Sequence, residues 1–299
     1  MPTDFAHRVS PQRRRPRLAI ALTLALLTGC QSKPQPAPPI AQAPALPPRP
    51  VPAEITWSAI GHSHGARPIL ARTFPGGAQR VLVIGSIHGD EPWGREALER
   101  LLGLSPRQSG FSPRELHGAP SALTIRVILD VNPDGSAIES RTNARGIDLN
   151  RNFPARNFTP HSTRGEFPLS EPESAALHRD LLDFRPDVVV VLHGLKRGNP
   201  FVNYDGPAAG LAAAFAEAAY AHDQRWTVKP DMGYATPGSL GSFVGVDLAT
   251  PILTVEFAPN HEAYLAETAL AWGLDAVFRS LEHPEPVAGG SGAGATGAE

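Results

Sequence analysis

Residues 81–91 have the sequence Val-Leu-Val-Ile-Gly-Ser-Ile-His-Gly-Asp-Glu, an apolar run that ends in polar side chains. Apolar runs without alternation are typical of strands that are covered on both faces of a sheet. Helical spacing follows directly, over residues 93–102. Because ligand sites of open α/β sheets lie at the carboxyl edge of the strands, this segment predicts an α/β fold with a polar site where the run ends.

Apolar runs of the same kind predict further buried strands at residues 123–131, 188–192 and 252–255. Helical spacing predicts further helices at residues 171–184, 208–222 and 262–281. Strands that alternate with helices are typical of layered domains, in which helices cover the faces of a sheet. We therefore predict a three-layer α/β sandwich with a mixed central sheet flanked by helices.

The N-terminal residues predict a targeting segment. Several arginines precede the apolar run 18–27, which is too short to span a bilayer as a helix. The sequence Leu-Thr-Gly-Cys at residues 27–30 resembles the lipobox of bacterial lipoproteins, which implies a signal peptide at residues 1–30 and a lipid on Cys30. We therefore expect an exported protein, anchored by lipid to a bacterial membrane and facing the periplasm. Gln31 favours the outer membrane, and a plain cleaved signal or an N-terminal helical anchor is the alternative.

Composition divides the remainder of the chain. Residues 31–53 are rich in proline and alanine and predict an extended linker off the membrane, whereas residues 284–299 predict a disordered tail. Residues 54–283 are left as one catalytic-sized domain in the chain of 299 residues. The formal net charge of −2 comes from interspersed signs without a broad cationic face, so we expect no nucleic-acid partner.

Two polar residues at the end of the opening run have the spacing of metal ligands. His88 and Glu91 lie on either side of the predicted strand-to-helix turn and can both reach one Zn²⁺ ion. A catalytic zinc needs a third protein ligand, and His193 fits because it ends the run 188–192. The alternatives are solvated turn residues for the first pair and a hydrogen-bonded strand cap for His193. Other histidines are interpreted as surface or loop residues, among them His62, His64, His161 and His261.

The long loop between the second and third predicted strands carries the most specific motif. It contains Asn-Pro-Asp-Gly at residues 132–135 and Arg-Thr-Asn-Ala-Arg-Gly-Ile-Asp-Leu-Asn-Arg-Asn-Phe at residues 141–153. With the ligand candidates and Glu256, this arrangement resembles the zinc carboxypeptidase family across nearly the whole folded domain. The resemblance implies one zinc ion per chain, bound by His88, Glu91 and His193. It implies that Asn150 and Arg151 bind a carboxylate of the substrate and that Arg141 polarises the scissile carbonyl. It also implies that Glu256 is the general base and that Asp148 orients a histidine that binds zinc.

These implied roles also have physical sense. An arginine fork binds a carboxylate through two charge-assisted hydrogen bonds, which a lysine does not reproduce. Arg145 is a nearby competitor for the role of Arg141, and a structural ion pair is the alternative for Arg151. Glu256 interrupts an apolar strand, where an unpaired charge is costly unless it has a partner or a function; a salt bridge is the alternative.

The motif at residues 141–154, with Gly-Tyr-Ala-Thr-Pro-Gly-Ser at residues 233–239 and Thr-Val-Glu-Phe at residues 254–257, looks most like bacterial murein peptide amidases. The resemblance implies hydrolysis of the bond between γ-D-glutamate and diaminopimelate in peptides derived from the cell wall, which an exported enzyme would meet in the periplasm. Whether Tyr234 corresponds to the mobile tyrosine of digestive carboxypeptidases stays open. The alternatives are a general zinc carboxypeptidase, a deacylase related to succinylglutamate desuccinylase and aspartoacylase, and a non-enzymatic wall-binding lipoprotein.

Overall fold

A computed structural model of the chain describes residues 56–105, 122–259 and 261–283. The predicted signal peptide with Cys30, the linker at residues 31–53 and the tail at residues 284–299 lie outside the described residues. No helix in the described ranges is long and apolar enough to cross a membrane.

The described strands form an eight-stranded mixed sheet in the order β1-β2-β4-β3-β5-β8-β6-β7. Their bounds are β1 Trp57–His62, β2 Pro68–Phe74, β3 Gln79–Ile84, β4 Leu123–Ile128, β5 Val188–Gly194, β6 Phe201–Asp205, β7 Thr227–Val228 and β8 Ile252–Phe257. The central strands β4, β3, β5 and β8 are parallel, whereas β2 and β6 join them in antiparallel orientation. The carboxyl ends of the parallel strands therefore meet at one edge of the sheet.

Helices cover both faces of this sheet. Their bounds are α1 Pro92–Leu101, α2 Pro133–Ala137, α3 Pro172–Phe184, α4 Ala209–Tyr220 and α5 Ala263–Glu282, with a 3₁₀ turn at Leu149–Arg151 and a π-helical segment at Ser242–Asp247. Neighbouring residues of a strand point to opposite faces. Val81 and Val83 of β3 accordingly pack in the core formed with α1, α4 and α5, while Leu82 and Ile84 pack in the core formed with α3. The prediction of a three-layer sandwich is confirmed.

The bounds of the central strands matter for the site. Strand β5 continues through His193 to Gly194, and β8 continues through Glu256 to Phe257, so both polar residues lie within strands. Strand β3 ends at Ile84, before the apolar run of the sequence ends at Ile87. The chain then stays bonded to the end of β4 and to the residues after it, since Gly85 N donates to Ile128 O at 2.8 Å and Val131 N donates to Ser86 O at 2.9 Å.

His261 lies in the loop before α5, as predicted, but it is not a surface residue, because only 6% of it is exposed. Its ring packs near those of Trp226 and Phe257, with centroids 6.1 and 5.9 Å away. Its Nε2 lies 3.2 Å from a carboxylate oxygen of Asp223. His261 therefore contributes to the core beside the start of α5.

Candidate active site

Three of the predicted residues converge at the carboxyl edge of the sheet. His88 follows β3, Glu91 directly precedes α1, and His193 lies near the end of β5. Glu91 Oε2 lies 2.9 Å from His88 Nδ1 and 2.8 Å from His193 Nδ1, and the two Nδ1 atoms are 3.1 Å apart. All three side chains are buried. The parallel strand order therefore produces a compact cluster of nitrogen and oxygen donors.

The second ring nitrogen of each histidine has its own polar partner. His88 Nε2 lies 3.0 Å from Asp148 Oδ1, and His193 Nε2 lies 3.4 Å from Asn150 Nδ2. Gly194 N also donates to Glu91 Oε2 at 3.1 Å. These contacts fix the rings so that both Nδ1 atoms point toward the same carboxylate. Outer partners of this kind orient metal-ligating histidines and set their tautomer.

The cluster fits a zinc ion. Its ligand atoms all lie within 4.8 Å of one another, and two imidazoles with one carboxylate are a donor set that Zn²⁺ prefers in catalytic sites. Although burial acts against ionisation, His88 and His193 hold the pKa of Glu91 well below its usual range, so the carboxylate is charged. Burial also opposes ionisation of Asp148, but His88 and Arg141 hold its pKa low as well.

Arg141 lies against this cluster, whereas Arg145 does not. The Arg141 guanidinium donates to Glu91 Oε1 at 2.6 Å and to Asp148 Oδ2 at 3.1 Å, and it lines the cavity above the cluster. Arg145 lies 3.7 Å from Glu171 and lines a different pocket. Of the two candidates left open by the sequence, only Arg141 lies where it can act on a group at the metal site.

Asn150 and Arg151 lie side by side in the 3₁₀ turn, at the rim of the same cavity. Asn150 Oδ1 accepts a hydrogen bond from Leu240 N at 2.9 Å, so part of its amide braces the protein. Arg151 donates to the Asn150 carbonyl at 2.6 Å, but none of the described carboxylates forms an ion pair with it. Burial lowers the pKa of Arg151 from its usual value and the nearby charge of Arg141 adds to this, whereas the negative charge of Asp148 acts in the opposite direction.

Glu256 is the direct neighbour of His193, because the two are register partners in the β5–β8 ladder. Only 8% of the residue is exposed, and its carboxylate accepts no hydrogen bond from the described residues. Burial raises the pKa of Glu256, and the nearby negative charge of Glu91 adds to this, whereas His193 acts in the opposite direction. The described part of the chain therefore contains no salt bridge to Glu256, the structural alternative that the sequence left open.

The cluster opens into a cavity of about 320 Å³. Besides the predicted residues, its wall includes Asn203 and Asp205 of β6, which the sequence did not indicate, and Thr254 of β8, to which the sequence assigns no role of its own. Tyr234 also lines the cavity, with 59% of the residue exposed. The antiparallel pairing of β6 with β8 brings the missed residues to the site across about fifty positions of sequence, and local sequence patterns carry no sign of that pairing.

Sequence comparison supports a common origin with known metallohydrolases. The profile of a family described as zinc carboxypeptidase matches residues 51–204. Murein peptide amidase A of Vibrio campbellii is 28% identical over 243 residues, which cover 77% of this chain and 88% of the relative. Murein peptide amidase A of Escherichia coli K12 is 33% identical over 156 residues, which cover 47% of this chain and 60% of the relative.

A solved structure agrees with these relationships. The crystal structure of a murein-tripeptide amidase from Escherichia coli O157 superimposes with a TM-score of 0.58 and 27% sequence identity, over 81% of this chain and 96% of that one. The matched profile spans His88, Glu91 and His193, the residues that form the donor cluster. This chain belongs to the zinc carboxypeptidase family and is a zinc-dependent hydrolase.

Proposed function

We propose that the protein hydrolyses an amide bond in murein peptides, next to a residue that carries a free carboxylate. The bond that we favour joins γ-D-glutamate to diaminopimelate. The similarity to murein peptide amidases of Vibrio and Escherichia supports this substrate over a general peptide or an acyl amino acid. A wall-binding protein without activity would have no use for a buried, unpaired carboxylate beside the donor cluster.

One observation carries the proposal: an unpaired carboxylate and an unpaired guanidinium share a cavity with the donor cluster. Glu256 is buried beside His193, and Arg151 lies at the rim. Each of these charges is costly to desolvate without a partner. A substrate with a reacting amide gives Glu256 a proton to transfer. If the same substrate has a free carboxylate, that group pairs with Arg151.

We assign zinc to His88, Glu91 and His193. Zinc in such a site acts as a Lewis acid, which acidifies water and polarises a carbonyl oxygen. The chain's own residues perform the proton transfers and hold the substrate. Glu256 takes a proton from the attacking water and later delivers it to the leaving amine, a role for which its place beside His193 and its lack of a hydrogen-bond donor among the described residues leave it available.

Arg141 stabilises the negative charge that develops on the scissile carbonyl oxygen. Its guanidinium is held by Glu91 and Asp148, so it is oriented before the substrate binds. A preorganised donor of this kind accelerates acyl transfer by about 10²- to 10³-fold. Asp148, which contacts both Arg141 and His88, aligns the donor and the metal ligand together.

Arg151 binds the free carboxylate of the substrate, assisted by Asn150. The planar guanidinium forms paired hydrogen bonds with a carboxylate, which fix the orientation of the substrate as well as adding affinity. Orientation of this kind places the scissile amide against Glu256 and the donor cluster. The enzyme therefore selects substrates that carry a free carboxylate beside the cleaved bond.

A panel of three substrates tests the proposal. Purified protein would be incubated with L-Ala-γ-D-Glu-diaminopimelate, an ordinary L-peptide and an acyl-glutamate, and the released amino acids would be quantified. We expect diaminopimelate from the first substrate at a rate far above release from the others. Cleavage of the L-peptide alone would replace our proposal by a general carboxypeptidase, and cleavage of the acyl-glutamate alone would replace it by a deacylase.

We further propose that the enzyme is exported and carries lipid on Cys30. The basic stretch, the apolar run 18–27 and the Leu-Thr-Gly-Cys sequence support this location. Several acyl chains hold a protein at a membrane where a single chain does not. Labelling cells with radioactive palmitate should tag the wild-type protein but not Cys30→Ala, and only the wild type should sediment with membranes; equal behaviour of the two would contradict the proposal.

A further inference from the structure

Lys196 lines the catalytic cavity just beyond the end of β5, shortly after His193. Leu195 N donates to Phe257 O at 2.8 Å, so the chain is still bonded to β8 at the residue before Lys196. The lysine side chain itself is 78% exposed. Its backbone is therefore held in place relative to the donor cluster, while its ammonium group is accessible to a ligand that enters the cavity.

Asp90 holds the ammonium group of Lys196 near the donor cluster. This aspartate lies between His88 and Glu91 in the sequence, and its Oδ2 is 3.2 Å from Lys196 Nζ. Only 17% of the Asp90 side chain is exposed, so the protein surrounds this end of the ion pair. An ammonium group has three N–H donors, so contact with one carboxylate oxygen leaves donors for a ligand.

Three lysine or arginine side chains line the cavity among the described residues: Arg141, Arg151 and Lys196. Arg141 is assigned to the scissile carbonyl oxygen. Arg151 belongs to the segment that packs on Gly238, where an added Cβ atom would lie 2.5 Å from Arg151 O. Lys196 instead contacts the segment that leads into α1. Arg151 and Lys196 thus belong to different parts of the cavity wall, and one substrate can contact both.

The substrate that we favour has two free carboxylates, one on each side of the cleaved bond. The γ-linked glutamate forms that bond through its side-chain carboxyl group, so its own α-carboxylate stays free. A residue that is linked through its α-carboxyl group has no such carboxylate. Because Arg151 binds the carboxylate of the leaving residue, the carboxylate of the glutamate requires a second cation.

We propose that Lys196 binds the α-carboxylate of the γ-linked glutamate. This inference rests on the proposed function and adds to it a residue that recognises the γ linkage. The contact is a charge-assisted hydrogen bond, and the exposure of the lysine keeps its strength modest. Lys196 is therefore a specificity-determining residue, which favours γ-linked glutamate over an α-linked residue and over a glutamate whose α-carboxylate is an amide.

Two substrates that differ only in this group test the inference. The full-length chain, loaded with zinc, would be given L-Ala-γ-D-Glu-diaminopimelate and its analogue with an α-carboxamide on the glutamate, and kcat/KM would be measured for each. We expect the wild type to prefer the free carboxylate by about 3- to 10-fold, and Lys196→Met to reduce this ratio to about one. Arg197→Met is the matched control and should keep the preference, because Arg197 is the next residue, is exposed and is not among the residues that line the cavity. A general loss of activity cancels in the ratio.

Equal kcat/KM for the two substrates in the wild type, or a preference that survives in Lys196→Met, would overturn the inference and leave the proposed function intact. Lys196→Gln is a second neutral variant if the methionine variant does not fold, and it should lose the same preference. If neither substrate is hydrolysed, the proposed function fails, and calorimetric titration with L-Ala-D-glutamate and with its α-carboxamide decides the role of Lys196. Tighter binding of the dicarboxylate that disappears in Lys196→Met would support that role, and equal binding would refute it.

Discussion

Glu256 and His193 are register partners in adjacent parallel strands, and the Glu256 carboxylate accepts no hydrogen bond from the described residues. This pairing follows from the topology, because β5 and β8 end at the same edge of the sheet as β3. Sheet register therefore brings together a free carboxylate and the donor cluster without a dedicated loop. The proposed division of roles, with zinc on the cluster and proton transfer on Glu256, leads to the following predictions.

Removal of zinc should abolish hydrolysis and lower the melting temperature. A ligand present at about 100 times its Kd stabilises the folded state by about 2.7 kcal/mol, which corresponds to a shift of roughly 5–10 °C for a domain of this size. Thermal unfolding with and without a chelator measures the shift, and added zinc should restore both properties. His193→Ala should not respond to zinc. A chelated protein that still hydrolyses its substrate at the original rate would contradict the assignment.

Asp148→Asn should weaken zinc binding by about 10- to 100-fold, because His88 loses the carboxylate that orients its ring. Competition with a coloured chelator measures the affinity. Asp180→Asn is a control for loss of a buried carboxylate, since Asp180 pairs with Arg126 away from the cluster. Equal losses of zinc affinity in the two variants would show that Asp148 has no specific role at the metal site.

Arg151→Lys should lower kcat/KM by roughly 10- to 100-fold, mainly through a higher KM, because an ammonium group does not reproduce the paired hydrogen bonds to a carboxylate. Arg145→Lys should change little, since this exposed arginine lines another pocket. Initial rates over a range of substrate concentrations separate the two parameters. A substrate whose carboxylate is converted to an amide should be processed equally by the wild type and the lysine variant; a persistent difference would argue against the assigned role.

Asp134 should contribute stability that disappears in acid. Burial acts to raise its pKa, but donors from Gly65, Arg67 and Ser63 hold the pKa below its ordinary value. A depressed pKa in the folded state stabilises the protein above the unfolded value of about 3.9, and this contribution is lost as the pH falls through the folded value. Asp134→Asn should therefore lower the free energy of unfolding by about 1–3 kcal/mol at pH 7.

The difference between wild type and Asp134→Asn should begin to shrink as the pH falls below the unfolded pKa of about 3.9, and it should disappear only below the lower pKa of the folded state, where the aspartate is also uncharged. Urea unfolding of the zinc-free protein at pH 7 and at about pH 2.5 compares the two without a contribution from the metal. A deficit of equal size at both pH values would mean that the aspartate acts through packing and not through its charge.

The central layer of the fold was predictable because its strands are uniformly apolar. Residues 188–192 and 252–255 carry that pattern, and both lie in fully or nearly fully buried strands. The outer strands escaped prediction for the opposite reason. Strand β1 is partly exposed along its whole length, and β7 has only two residues, so neither has a pattern that stands out from a loop.

The site likewise contains residues that were predictable from the sequence and residues that were not. His88 and His193 were predictable because each directly follows or ends an apolar run, and family resemblance supplied Arg141 and Arg151. Asp205 was not predictable, since its position depends on the register of β6 against β8.

Glu256→Gln is the most direct test of the account. The substitution keeps the size of the side chain but removes its ability to accept a proton, and general base catalysis typically contributes about 10²- to 10⁴-fold. Zinc content and release of diaminopimelate from L-Ala-γ-D-Glu-diaminopimelate would be measured on the wild type and the variant. We predict about one zinc per chain in both and a loss of at least about 100-fold in kcat in the variant. A variant that retains zinc and hydrolyses the substrate at the wild-type rate would contradict the central claim.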